Sequence, residues 1–196
     1  MYKMLLDIPS RIETERLYLR YYQAGDGPMY YAASQRNRQH FSKYESGNVL
    51  MQIKDEEHAE AIVRELAADW IARNCFFIGI FEKETSAWVG QVYIGPTNWE
   101  LPEFIIGYVA DLNQEGKGYI TEAVKAVLCM LFNDLKAHRV RSECADTNVR
   151  SYRVLERCGF TREGHFRENK KNPDGTFRGD YHYAILKREF TALECN

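Results

Sequence analysis

The sequence predicts a single α/β domain in which a mixed β-sheet carries helices on both faces. Its 196 residues, 45% of them hydrophobic, are enough to bury one core without disulfide bonds. Stretches with the alternation of strands and stretches with the spacing of amphipathic helices follow one another along the chain. We expect the domain to cover residues 11–190, between an N-terminal extension of residues 1–10 and a C-terminal tail of residues 191–196.

The first half of the chain alternates between strand and helix patterns. Apolar residues at every second position predict a strand over 16–22. A helix ending near residue 34 should follow, because Asp26 can cap it and Pro28 suits its first turn. Residues 35–48 are polar and only weakly periodic. The other elements predicted here are a helix over 54–74 and a hairpin of strands over 76–81 and 88–94.

The second half is organised around a short strand, a turn and the longest helix. The strand is the apolar run 105–109, and the helix begins at Gly118 or Tyr119 and reaches Leu135 with one buried stripe. The elements predicted after it are a strand over 139–145, a helix over 149–158, and a final strand pair over 161–168 and 181–187. This order of elements is that of a mixed sheet with helices packed on both sides.

The turn before the longest helix contains Gly116-Lys117-Gly118. A glycine turn that opens a helix leaves main-chain N–H groups unpaired, with the positive end of the helix dipole behind them, and such a turn binds phosphate. A Walker-type loop is excluded, because Asp111 stands where its first glycine belongs and Gly118 where it needs Ser or Thr. A dinucleotide fingerprint is excluded too, since it requires glycine at Thr121.

Three ordered blocks of sequence carry a more specific likeness. The blocks are Glu13 to Arg20; Gly107-Tyr108 with Asp111, Gly116-Lys117-Gly118-Tyr119 and Thr121-Glu122-Ala123; and Asn148 to Phe160. Together they resemble the GNAT acetyltransferases, most closely the branch typified by the RimJ and RimL enzymes that acetylate protein N-termini. The likeness spans about residues 11–190. Three positions depart from the usual pattern, namely Glu115, Ile120 and Leu155.

The resemblance implies acetyl-CoA as co-substrate and a largely antiparallel mixed sheet whose central parallel strand pair splays to admit the pantetheine arm. The turn would hold the pyrophosphate through main-chain N–H groups, with Lys117 adding a charge. We expect Glu115 to point outward, because a carboxylate beside a pyrophosphate is repulsive. The implied cofactor-binding residues are Tyr108, Val109, Ala110, Glu115, Gly116, Lys117, Gly118, Tyr119, Ile120, Thr121, Asn148 and Ser151. No metal site is expected.

Acetyl transfer to an amine needs a base for the amine, donors for the oxyanion and a proton for the departing thiolate. Glu103 is the first candidate base, because it shares a strand face with Ile105 and Gly107. Glu100 is the second candidate, and water alone is the alternative. For the oxyanion, the resemblance implies a main-chain N–H near Tyr108.

The predicted helix that starts at Asn148 offers the proton donor. Most GNAT enzymes carry a tyrosine seven residues after this asparagine, but Leu155 occupies that position here. The RimJ/RimL branch implies Ser151 as the partner of the thiol, while the alternative is that Ser151 only hydrogen-bonds the helix start. Asn148 resembles the family residue that binds the cofactor arm, and it also suits helix capping.

The acceptor is predicted to be a primary amine that attacks the thioester directly. An α-amine has a pKa of about 7.7–8.0, against about 10.4 for a lysine-like amine, and is therefore easier to deprotonate at neutral pH. A protein N-terminus is the first choice for this reason. Small amines (a polyamine, an aminoglycoside or an amino sugar) are the alternative, which an acidic cleft would favour. A different alternative is that the chain is a non-catalytic module that binds acyl-CoA.

Composition limits the partners and the compartment. Twenty-six basic and 28 acidic residues give a net charge of −2, so no bulk field attracts nucleic acid. Five cysteines are odd in number and lack zinc-binding spacing, which predicts reduced thiols and a cytoplasmic protein. No apolar run approaches the roughly 20 residues of a membrane span, so no membrane partner is expected. The sequence leaves a homodimer open.

Overall fold

A computed structural model of the chain describes residues 2–45, 47–172 and 174–190. In these residues eight strands form one open mixed sheet in the order β1-β2-β3-β4-β5-β6-β8-β7. The strands are β1 (Arg11–Glu13), β2 (Leu17–Tyr21), β3 (Phe76–Glu82), β4 (Trp88–Asn98), β5 (Glu103–Ala110), β6 (Arg139–Ala145), β7 (Thr161–Lys171) and β8 (Phe177–Leu186). The α-helices are α1 (Gly27–Phe41), α2 (Glu56–Ala72), α3 (Tyr119–Asn133) and α4 (Val149–Arg157). The predicted fold class is confirmed.

Strands β5 and β6 are the parallel pair of this sheet, and they separate partway along. Their pairing covers residues 103–105 of β5 and 139–141 of β6. Ser142 Oγ then donates a hydrogen bond to the main-chain oxygen of Ile106 at 2.9 Å. Both strands continue beyond this point without pairing to each other, so β5 has an open edge from Gly107 onward. This is the splay that the family resemblance implies.

The helices pack on both faces of the sheet, as predicted. Helices α1 and α2 bury one core, which includes Tyr30 and Val63. Helix α3 buries its apolar stripe in a second core, where Val124 and Leu131 are 0% exposed. Leu6 and Ile8, from the segment ahead of β1, pack against the second core. Among the described residues, no helix has the length and apolarity that crossing a membrane requires.

Helix α1 runs to Phe41, well beyond the predicted end near Ser34. The extension is held by buried polar side chains. Ser34 Oγ donates to the main-chain oxygen of Leu50 at 2.6 Å, and Asn37 Nδ2 donates to Asp111 at 3.2 Å. This part of α1 buries polar side chains that are paired by hydrogen bonds. The spacing of apolar residues therefore cannot predict that the helix continues here.

Two other local predictions are wrong. Asp26 precedes α1, but its side chain does not cap the helix; it binds Arg20 at 2.6 and 2.8 Å and the main-chain N–H of Gln23 at 2.8 Å. Strand β4 continues through Pro96 to Asn98, beyond the predicted end at residue 94. A register shift between these two residues absorbs the proline, which lacks a donor for regular pairing.

Candidate active site

Two glycines shape the turn before α3. Gly116 and Gly118 have φ angles of 78° and 81°, in the left-handed region that glycine adopts without steric cost. Gly118 is the N-cap of α3, which begins at Tyr119 as predicted. In the described part of the chain, no hydrogen-bond acceptor is found for the main-chain N–H groups of residues 118–121, where α3 begins. These donors suit the diphosphate of a cofactor, with the positive end of the α3 dipole behind them.

Arg16, just before β2, holds this turn in place. Its Nη1 donates to the main-chain oxygen of Lys117 at 2.9 Å, and its guanidinium lies 4.8 Å from the centre of the Tyr119 ring. Its main-chain N–H and its Nε donate to Glu122 of α3 at 3.0 and 2.8 Å. The first and second sequence blocks therefore meet at the turn.

A cavity of about 490 Å³, the cofactor cavity, lies between the end of β5, the end of α1 and the start of α4. Tyr108, Val109 and Ala110 at the end of β5 form one wall, and residues 148–151 form another. The open edge of β5 can hydrogen-bond the amides of a pantetheine arm as a further strand would. The residues predicted to bind this arm thus line one cavity, and the residues present fit the cofactor.

Ser151, Tyr108 and Asn148 form a hydrogen-bonded group in the cofactor cavity. The Tyr108 hydroxyl donates to the main-chain oxygen of Ser151 at 2.7 Å, and Ser151 Oγ donates to the Tyr108 hydroxyl at 3.4 Å. Asn148 Oδ1 accepts from the Ser151 N–H at 3.2 Å, which confirms its capping role. Burial raises the pKa of Tyr108, although the hydrogen bond to Ser151 opposes part of the rise, so the phenol stays protonated. The family resemblance names Tyr108 as a cofactor-binding residue and places an oxyanion N–H near it, but it implies no role for the phenol.

Glu103 lies outside the cofactor cavity. It is on the same sheet face as Gly107, as predicted, but Arg139 Nε donates to its carboxylate at 3.1 Å, and Arg141 Nε lies 3.9 Å away. Four residues of extended strand, roughly 13 Å, separate it from Gly107. The assignment of Glu103 as the base is therefore corrected, because two arginines hold it where β5 and β6 are still paired. The second candidate, Glu100, is exposed in the turn before β5.

Glu115 bridges the mouth of the cofactor cavity, and the expectation that it points outward is wrong. Its carboxylate pairs with Arg150 of α4 and with His40 Nε2 of α1, the latter at 3.0 Å. Contacts from opposite sides of the mouth therefore draw the carboxylate inward. In this arrangement Arg150 is engaged by a carboxylate and not by phosphate.

Replacing Glu115 with glutamine is expected to tighten acetyl-CoA binding by about two- to fivefold, the effect of removing a partly screened charge worth up to about 1 kcal/mol. The change removes a negative charge beside the phosphate-binding turn and releases Arg150. Titration calorimetry at low and high ionic strength checks this, and the gain should shrink in high salt. Glu57→Gln, on the exposed first turn of α2, is the control. Weaker binding would mean that Glu115 is needed to order the mouth.

The remaining departures from the family pattern leave the cofactor cavity clear. Ile120 packs toward β4, where its Cδ1 lies 2.9 Å from the place that a Cβ on Gly90 would take. Leu155 is 0% exposed in the core beneath α4, where it packs against its neighbours.

Lys117, which was predicted to add a charge beside the diphosphate, extends along the surface. Its Nζ donates to Gln114 at 2.7 Å.

Sequence patterns did not single out Glu45, which follows α1. Its side chain lines the cofactor cavity and also a second space of about 460 Å³ on the α1/α2 face of the sheet, here called the acceptor groove. The rings of Phe77 and Tyr93, 4.9 Å apart, form part of its wall. One signal was present, because Glu45 is the only acidic residue in the segment 35–48.

Comparisons with known proteins agree with this geometry. The acetyltransferase (GNAT) domain family matches residues 16–161. The chain is 30% identical to the uncharacterised N-acetyltransferase YnaD of Bacillus subtilis over 91% of this chain and 98% of that protein. A shorter stretch is 34% identical to the aminoglycoside N(6′)-acetyltransferase type 1 of Klebsiella pneumoniae, covering 34% of this chain and 31% of that protein. In fold, it is similar to Mycobacterium smegmatis RimJ in complex with CoA-disulfide, with a TM-score of 0.81 at 22% identity over 97% of this chain and 92% of that chain.

The family match covers most of the sheet together with α3 and α4, and so includes the turn, the splayed strand pair and the cofactor cavity. The likeness to YnaD extends over nearly the full length of both chains. The chain therefore belongs to the GNAT family of acetyltransferases, which use acetyl-CoA as the acetyl donor.

Proposed function

We propose that the chain transfers the acetyl group of acetyl-CoA to the N-terminal α-amine of a protein or peptide. The observation that carries this proposal is the meeting of two spaces, because the cofactor cavity and the acceptor groove share Glu45 and Tyr108. An amine in the groove would reach a thioester held beside Tyr108 and Ser151. Direct attack needs no acyl-enzyme in this arrangement.

The acceptor groove suits a monoamine better than a polycation. Glu45 is the single carboxylate among the described residues that line it; the others are apolar, aromatic or neutral. An aminoglycoside or a polyamine carries several ammonium groups, each of which needs a counter-charge when it leaves water. A peptide N-terminus brings one amine followed by a neutral backbone. The RimJ/RimL-like sequence blocks favour the same acceptor.

Side chains of the cofactor cavity supply the remaining chemistry. Main-chain donors of the turn hold the diphosphate, and acetyl-CoA supplies the activated acetyl group. The hydroxyls of Ser151 and Tyr108 offer a proton to the sulfur as the carbon–sulfur bond breaks, and Asn148 positions Ser151. A main-chain N–H near Tyr108 is assigned to the oxyanion. We place the reaction in the cytoplasm. Among the described residues Cys75, Cys144 and Cys158 are free thiols, but Cys129 is disulfide-bonded, so the expectation of reduced thiols throughout is wrong.

An acceptor panel assayed for free CoA tests the proposal. Peptides with a free α-amine are expected to show kcat/KM at least about tenfold above spermidine and kanamycin, a difference of about 1.4 kcal/mol. The same peptides with a blocked N-terminus and one lysine are the matched control and should release little CoA. Faster turnover of the small amines would overturn the choice of acceptor. Firm acetyl-CoA binding with no CoA release from any amine would identify a non-catalytic acyl-CoA-binding module instead.

A further inference from the structure

Glu45 lies where three spaces of the structure meet. Its main-chain N–H donates to the oxygen of Phe41 at 2.7 Å, which fixes the residue at the end of α1. It lines the cofactor cavity, the acceptor groove, and a smaller space of about 220 Å³ where β5 and β6 separate. Tyr108 also lines all three. Glu45 therefore borders both the proposed thioester position and the proposed path of the amine.

Other carboxylates around these spaces are already engaged. Glu115 pairs with His40 and Arg150. Glu143 accepts from Arg141 Nη1 at 2.7 Å. Asp180 accepts from Asn169 at 3.0 Å and lies 3.7 Å from Lys170 Nζ. In the described residues, no cation lies within ion-pair distance of Glu45, which leaves its carboxylate available to an incoming ammonium group.

We propose that Glu45 takes the proton from the acceptor amine, an inference that rests on the proposed acetyl transfer. The ammonium group gives one proton to the Glu45 carboxylate, and the neutral nitrogen forms a bond to the thioester carbonyl carbon. The carbon–sulfur bond then breaks and the thiolate receives a proton from the hydroxyl pair Ser151 and Tyr108. The second proton of the nitrogen passes to that pair and restores both hydroxyls. Glu45 then returns its proton to water. Atoms and charge balance without any further reactant.

The electrostatic surroundings keep Glu45 ready for this role. Burial raises the pKa of Glu45 to about 7, while the charge of Arg178 and a hydrogen bond from Asn48 oppose part of the rise. A base with a pKa near the working pH transfers protons most effectively. The charged and titratable groups around the three spaces are Arg178 and Asp180 of β8, Lys170 of β7, Glu143 of β6, Arg150 of α4 with Glu115, and His40 and Lys43 near the end of α1.

The isosteric change Glu45→Gln tests the inference through the pH profile of kcat/KM. We expect kcat to fall about 100-fold, as for loss of a general base, while the dissociation constant of acetyl-CoA stays within about twofold. The acidic limb of the profile, with an apparent pKa near 7, should disappear. Glu45→Asp should keep the acidic limb with a lower rate, because the carboxylate remains but its shorter side chain holds it farther from the amine. If Glu45→Gln keeps the wild-type kcat/KM and the acidic limb of its pH profile, the inference is overturned. If Glu103→Gln alone loses activity and the acidic limb, Glu103 of β5 is the base instead.

A second readout needs no acceptor and separates this inference from the proposed function. A glutamate whose folded-state pKa is raised from 4.5 to about 7 destabilises the fold as it ionises between those values. The wild type should therefore lose melting temperature relative to Glu45→Gln as the pH rises from 5 to 8. A constant difference would show that the carboxylate is not desolvated and would overturn the role. Absence of CoA release by the wild type, with the stability difference present, would instead count against the proposed function.

Discussion

Replacing Gly118 with glutamate is expected to abolish acetyl-CoA binding while the chain still folds. The residue has a φ of 81°, and open space surrounds it apart from Arg16 Nη2 at 3.5 Å from an added Cβ. A glutamate here would direct bulk and negative charge toward the N–H groups that we propose hold the diphosphate. Loss of those contacts should weaken binding by more than about 100-fold, or about 2.7 kcal/mol. Thermal shift measures it, since saturating acetyl-CoA at 100 times its dissociation constant stabilises the wild type by about 2.7 kcal/mol.

Two variants separate the charge effect from backbone strain. Gly175→Glu places the same side chain at a φ of 89° with no atom within 4 Å, in the turn between β7 and β8. Its cost should be the strain of a left-handed residue, about 1–2 kcal/mol, with the acetyl-CoA shift retained. Gly118→Ala should show similar strain and intermediate binding. A normal acetyl-CoA shift in Gly118→Glu would mean that the diphosphate lies elsewhere.

The cofactor half of the site could be predicted because it is encoded locally. The glycines of the turn, the start of α3 and the cap at Asn148 each depend on residues that are neighbours in sequence. Spacing alone places main-chain donors at a helix start, and the structure has them there. The splay of β5 from β6 came from the family resemblance and not from any pattern in the residues themselves.

The acceptor half could not be predicted, because it depends on contacts between distant segments. Glu103 lies on the predicted face of β5, together with Gly107. Nothing in the sequence shows, however, that Arg139 is paired opposite Glu103 on β6. Glu45 borders the acceptor groove because α1 extends to Phe41. Buried hydrogen bonds of Ser34 and Asn37 support that extension. Such polar packing has no periodic signature.

Removing the carboxylate of Asp111 is expected to destabilise the fold by about 2 kcal/mol. The change leaves buried donors without their acceptor, while Arg36, 37% exposed, can still reach water. Asp111 is 1% exposed and accepts from Arg36 Nε at 2.7 Å, from Asn37 Nδ2 at 3.2 Å and from the N–H of Asn113 at 2.9 Å. It therefore joins α1 to the segment that leads into the cofactor turn. Denaturant unfolding of Asp111→Ala measures the loss. The double variant with Arg36→Met should recover part of it, because the unpaired cation is then gone.

The pH dependence of this difference identifies its cause. Burial alone would raise the pKa of Asp111, but hydrogen bonds from Arg36, Asn113 and Asn37 outweigh it and hold the pKa below the usual 3.8. Because the folded-state pKa is lowered, the stabilisation is present above pH 3.8 and is lost as the pH falls through the folded-state value. The gap in unfolding free energy between the wild type and Asp111→Ala should therefore narrow in acid. A gap of constant size down to low pH would assign the loss to packing and not to the charge that ties α1 to the turn.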